Sequence, residues 1–151
     1  MTPASDRSGR GFSLVELMIV LALIGILVAL VVPRMLESRA SANETSAIGS
    51  LKTLGTAEAQ FREADSDQDK IQDYAANLME LSTYSMIDNV LAGGVKSGYR
   101  FGLSGSTYDW RATAVPVNPN EGHRSFYMDT SGVIRFATAG VPDANSSPIS
   151  Q

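Results

Sequence analysis

Hydrophobic positions along this chain change their spacing twice, and each regime predicts a different element. Residues 12–32 read FSLVELMIVLALIGILVALVV, a run in which Glu16 is the single ionisable side chain. The run keeps no polar face, so it predicts a helix that is apolar all round. At about 1.5 Å per residue such a helix spans roughly 31 Å, close to the roughly 30 Å hydrocarbon core of a bilayer. Pro33 follows, and its missing N–H predicts a kink or local melting. Beyond it Leu36, Ala40, Ala47, Leu51, Leu54 and Phe61 fall at the i, i+3/i+4 intervals of an amphipathic helix. Glu37, Arg39, Glu44, Lys52, Glu58 and Arg62 are assigned to its solvent face. Together the two stretches predict a helix reaching about Ala64, on the order of 80 Å long.

The third regime alternates. An acidic segment from Asp65 to Lys70 ends the helix, and residues 71–93 predict a connection with one or two helical turns. There Leu78, Met79 and Leu81 are candidates to pack on the helix, and Gly93-Gly94 marks a tight turn. Tyr99, Phe101 and Leu103 then alternate with polar or small residues, as do Tyr108, Trp110, Ala112 and Ala114. Residues 125–128 and 133–137 flank Asp129-Thr130-Ser131-Gly132, a hairpin turn signal. The predicted fold class is α+β: a long N-terminal helix packed against a small antiparallel sheet of about four strands. Phe101, Trp110, Phe126 and Phe136 are the aromatic fillers, and residues 142–151 form a loose polar tail.

Composition removes several functions. Apolar residues make up 44% of the chain but crowd into its N-terminal run, leaving a more polar remainder. A net charge of −4 gives no basic footprint, so no nucleic-acid partner is predicted. The absence of cysteine rules out disulfides, thiolate metal sites and a cysteine nucleophile. His123, the single histidine, stands in a Gly/Asn/Arg loop and reads as a surface residue. Asp65-x-Asp67-x-Asp69 resembles the start of an EF-hand loop. Lys70 stands where the loop needs glycine and Ala76 where it needs glutamate, so the segment reads as a solvated acidic turn. No catalytic residue, cofactor or metal site is predicted, and the chain reads as non-enzymatic.

The N-terminal run carries the function. The eleven residues before it are polar and include Arg7 and Arg10, which favours keeping them on the cytoplasmic side. A secretory signal peptide has a shorter apolar region, of about 7–15 residues, and a small-residue cleavage site. This run is longer and closes on Val-Val-Pro-Arg. A buried core helix fits poorly too, because no charge falls between Leu17 and Pro33. Glu16 is costly there, by about 2.5–3.5 kcal/mol at a span's centre and less near its boundary. Snorkelling to the headgroups is one outlet for it. A cut between Gly11 and Phe12 offers another: the freed α-amine stands one helical turn from the carboxylate. In a stack of such helices, one subunit's amine would neutralise its neighbour's Glu16 and fix axial register.

Gly11-Phe12-Ser13-Leu14-Val15-Glu16, set between a short basic leader and a continuous apolar run, resembles the N-terminal signature of type IV prepilins. Pseudopilins of type II secretion share that signature. The resemblance implies a prepilin peptidase that cuts between Gly11 and Phe12 and N-methylates Phe12. It implies that Glu16 is the register carboxylate, and Pro33 matches the family's proline near the end of the apolar stretch. The expected organisation is a leader (1–11), a transmembrane and filament-core helix (12–32), an amphipathic helix (33–64) and a globular α+β head with its tail (65–151).

The expected function is that of a structural subunit of a type IV pilus, a homopolymer built by assembly machinery in the bacterial inner membrane. Its single-pass precursor would be held in membrane lipid before moving to the extracellular filament. One alternative is a pseudopilin of a periplasmic type II secretion pseudopilus; another is a membrane-anchored periplasmic binding domain that never polymerises. The chain lacks the cysteine pair that closes a C-terminal loop in many pilins. It also lacks the Asp-Pro-Trp-Gly pattern of the main pseudopilin, to which Tyr108-Asp109-Trp110-Arg111 is only superficially similar.

Overall fold

In the computed structural model, residues 11–68 and 70–149 are described. The leader (1–10, with Arg7 and Arg10), Asp69 of the acidic segment and the last two tail residues lie outside them. The chain divides into two compact units, Met1–Leu36 and Glu37–Gln151. The helix α1, Leu14–Ala64, contributes to both and is helical at every position, Pro33 included.

In the first unit, every described side chain from position 11 to 36 is exposed. Local melting at Pro33 does not occur, although its ring nitrogen cannot donate to the Ala29 carbonyl.

In the second unit, residues 37–64 of α1 lie against a sheet. Ala40, Ala47, Leu51, Leu54 and Phe61 are buried as their spacing predicts, whereas Leu36 is exposed and does not join the stripe. Two residues assigned to the solvent face are buried as well: Glu44 and Glu58. Both carboxylates find N–H donors from the rest of the unit, which offsets their desolvation. The helix ends where the acidic segment begins. Asp65 takes a left-handed conformation (φ 45°), with Asp65 N–H on the Arg62 carbonyl and Ser66 N–H on that of Phe61. This is the Schellman arrangement that satisfies the last helical carbonyls.

Two short helices follow, α2 (Leu78–Thr83) and α3 (Asn89–Ala92), each capped by the side chain before it. Asn77 Oδ1 accepts the Glu80 N–H and Asp88 Oδ1 that of Leu91. Leu78 and Leu81 are buried, but Met79 is exposed.

The sheet is an antiparallel meander in chain order: β1 (Val95–Lys96), β2 (Tyr99–Gly105), β3 (Trp110–Pro116), β4 (Ser125–Asp129), β5 (Arg135–Ala137) and β6 (Ser147–Pro148). It has six strands where alternation predicts four, because two-residue edge strands carry no periodicity. β1 joins β2 through Ser97 and Gly98, both at positive φ (48° and 73°), as a type I′ turn requires. The predicted loose tail supplies β6, places Ile149 N–H on the Ile134 carbonyl and packs Ile149 against the core. Its residues to 149 are therefore ordered by pairing. The hairpin at Asp129–Gly132 forms as predicted, with Gly132 N–H on the Asp129 carbonyl.

Alternation sets the two faces of the sheet. Tyr99, Phe101, Trp110, Ala112, Ala114, Phe126 and Met128 point to the core, while Arg100, Ser104 and Arg111 are exposed. Phe136 is only partly buried. Gly122 is the tightest approach in the core: a Cβ there would collide with the hydroxyl and ring of the fully buried Tyr99. Gly122→Ala is expected to destabilise the fold by about 1–3 kcal/mol. Thermal unfolding followed by the fluorescence of Trp110, the single tryptophan, measures it.

Candidate functional site

Gly11 and Phe12 precede α1 without helical structure, and Phe12 is 80% exposed. A Cβ built on Gly11 meets no atom of the described residues within 4 Å. Ser13 caps the helix. Its carbonyl accepts the first helical N–H, from Leu17 (3.2 Å), and its Oγ accepts the Val15 N–H (3.3 Å). Glu16 reaches back in turn, its Oε2 accepting the Ser13 N–H at 2.9 Å. The result is a capping box, Ser13-x-x-Glu16, which satisfies two N–H groups that a helix start otherwise leaves orphaned. The carboxylate also lies in the first turn, where the helix dipole favours negative charge.

The structure therefore brings Ser13 and Glu16 together and gives Glu16 a partner within its own chain, while Phe12 stays exposed beside them in sequence. Sequence reasoning centred on charge missed this role. The Ser-x-x-Glu spacing before an apolar run was the available signal. Pro33 lies far along the same helix and joins no cluster. From Leu14 to Leu36 the helix presents a continuous apolar surface, far larger than the few hundred Å² that soluble monomers expose. By length and composition it can cross a membrane.

Inside the second unit, a polar seam joins α1 to the loop before β4. Glu44 Oε1 accepts the His123 N–H (2.9 Å), and its Oε2 accepts Arg124 Nε (2.7 Å) within an ion pair. The Arg124 guanidinium stacks over Phe126 and Phe136 at 5.5 and 5.3 Å. Asn43 Nδ2 donates to the Glu121 carbonyl and carboxylate. Tyr99 donates its hydroxyl to the Arg124 carbonyl (2.8 Å), and burial, with Glu44 close by, holds that hydroxyl well above its usual pKa. These bonds fix the loop to the helix and offer no nucleophile or proton relay. Among the described residues, no group of three or more His, Asp or Glu side chains is placed to hold a metal ion.

The family described as the prokaryotic N-terminal methylation motif matches residues 6–32. Type IV major pilin protein PilA of Myxococcus xanthus is 42% identical over 66 residues, 44% of this chain and 29% of its own length. Type IV wide pilus major component PilA4 of Thermus thermophilus is 49% identical over 39 residues, 26% of this chain and 30% of its own. Type II secretion system core protein G of Escherichia coli is 28% identical over 129 residues, 85% of this chain and 84% of its own. The chain spans less than a third of the length of the two pilus components it matches. No solved structure matches it.

The matched methylation motif heads an exposed apolar helix, and the rest of the chain is α+β; these are the features it shares with pilin-like proteins. The chain is similar to type IV pilus components over part of its length and to a type II secretion core protein over most of it, and its N-terminus matches the prokaryotic N-terminal methylation motif.

Proposed function

We propose that this chain is the structural subunit of a type IV pilus, cut between Gly11 and Phe12, methylated on Phe12 and polymerised through its N-terminal helix. Residues 1–11 act as leader, 12–32 as membrane span and then filament core, 33–64 as amphipathic extension and 65–151 as head. Pro33 bends the helix where the apolar run ends. A prepilin peptidase and an inner-membrane assembly machine act on the precursor, and the head has a structural role only. The observation that carries the reading is one carboxylate, Glu16, at the start of an exposed apolar helix, one turn beyond an exposed Gly11-Phe12 pair. Buried among neighbouring helices, that carboxylate needs a cation, and the new α-amine of Phe12 is the one the cut supplies.

The second reading is a pseudopilin of type II secretion. It is favoured by the similarity to core protein G, which runs through the head where the pilus matches are partial.

Mass spectrometry of the mature chain tests the processing step. The expected N-terminus is methylated Phe12, and a bulky residue at position 11 is expected to leave uncut precursor in the membrane. A mature chain that starts at Met1 overturns the proposal. Shearing the cells separates the two readings: long surface fibres containing this chain are expected for the pilus, and their absence favours the pseudopilus.

A further inference from the structure

Bonds between α1 and the loops flanking the sheet give the head two distinct ends. Asn43 and Glu44 hold Glu121, His123 and Arg124 at one. At the other, Glu58 holds Ala75 and Arg62 holds Tyr74, whose N–H bonds the Ser106 carbonyl (3.1 Å) beside the β2–β3 turn. The fifteen helical steps from Asn43 to Glu58 set these ends about 22 Å apart along the helix.

Each end carries a feature that the fold does not use. The β2–β3 turn is closed by the Ser106 N–H on the Asp109 carbonyl (2.8 Å) and by a short bond from Ser106 Oγ to the Asp109 carboxylate. It holds Tyr108 at 86% exposure, more than any other large apolar or aromatic side chain among the described residues. The opposite end contains a groove of about 540 Å³, walled by Val117, Pro119 and Val141, with Asn118 and His123 as polar lining. Arg100, on the same face, lies across the β2–β3 register from the groove residue Val115 and is exposed.

We propose that the Tyr108 turn of one head docks in this groove on a second copy of the same chain. The groove has room for one tyrosine side chain and part of its turn. Its apolar walls would cover the ring, while Asn118 and His123 offer partners for the hydroxyl. Charge complements shape: Asp109, next to Tyr108, would arrive beside Arg100. Because tip and groove are different surfaces at opposite ends, the contact is heterologous, the kind that builds an open filament when its rotation does not close into a ring. The inference rests on the filament reading above and adds to it a specific contact between heads.

The chain has no cysteine, so paired substitutions give a clean test. Filaments of the full chain carrying both Tyr108→Cys and Val117→Cys are sheared, oxidised and run on non-reducing gels. The expected result is a ladder of dimer, trimer and higher species, with each single variant running as monomer. Tyr108→Ala filaments are expected to release at least tenfold more subunit in mild detergent than native ones, with unchanged Trp110 fluorescence as the folding control. Double-variant filaments that stay monomeric on oxidation overturn the contact, as does dimer formation by Tyr108→Cys alone. Absence of any filament from the native chain overturns the filament reading itself, and this contact with it.

Discussion

Glu16→Ala, expressed as the only copy of the chain, is expected to leave Phe12 cut and methylated while filament yield falls on the order of 100-fold. The proposed assembly places Glu16 in a dry bundle, where removing one partner of an ion pair costs about 3–5 kcal/mol. Each 1.4 kcal/mol is a factor of ten in the equilibrium for adding a subunit. The capping box complicates the alanine result, because Glu16 also accepts the Ser13 N–H and its loss frays the helix start. Glu16→Gln separates the two roles. Glutamine keeps the hydrogen bond to Ser13 but cannot neutralise an α-amine. If charge pairing drives assembly, the glutamine variant loses filaments as severely as the alanine variant. Recovery to near-native yield with glutamine would assign Glu16 to capping alone, and normal filaments from both would sink the register role. The readout is the sheared filament fraction against total processed chain, from immunoblots of the same cells.

What the sequence made legible divides along a physical line. Elements that announce themselves by period or by punctuation were readable: the apolar run, the stripe ending at Phe61, the four alternating strands and the Asp129–Gly132 turn. The misplaced residues are those whose chemistry contradicts their position. Ala40, Ala47, Leu51, Leu54 and Phe61 leave two gaps in an otherwise regular three-and-four spacing, and Glu44 and Glu58 fill them. Assigning charge to solvent overrode that pattern. Only the fold shows what compensates them, since His123 and Arg124, and separately Ala75, reach them from distant parts of the chain. The same holds for β1 and β6, whose pairing is decided by neighbours instead of by their own two residues. At the N-terminus the motif was legible in full, but Glu16 has two possible partners, and the sequence pattern pointing to an intermolecular amine masks the local bond from the Ser13 N–H.

Glu58 gives the second large effect, a head that becomes less stable as the pH rises from about 4.5 to 7. Its side chain is fully buried on α1, with Oε2 accepting the Ala75 N–H at 3.0 Å and Oε1 buried without a hydrogen-bond partner. Burial pushes its pKa up to about 7, opposed by the Ala75 bond and reinforced by the nearby Glu80 and Asp73 carboxylates. In the unfolded chain the group titrates near its ordinary value of 4.5. Between the two values the unfolded chain has released the proton while the folded chain still holds it. Stability from this group is therefore fully present below about pH 4.5 and is lost as pH rises through 7, by on the order of 3 kcal/mol. Glu58→Gln removes the titration but keeps an oxygen for the Ala75 N–H. At pH 8 that variant is expected to be more stable than the native chain by about 2–3 kcal/mol, and at pH 4.5 the two should agree within about 1 kcal/mol. The comparison uses denaturant unfolding of detergent-held full-length chain, followed by Trp110, which packs beside Gly55 one turn before Glu58. The other carboxylates titrate in both proteins, so the difference between the two curves reports Glu58 alone. Parallel pH profiles for the native chain and the glutamine variant would show that the buried carboxylate does not govern the stability of the head.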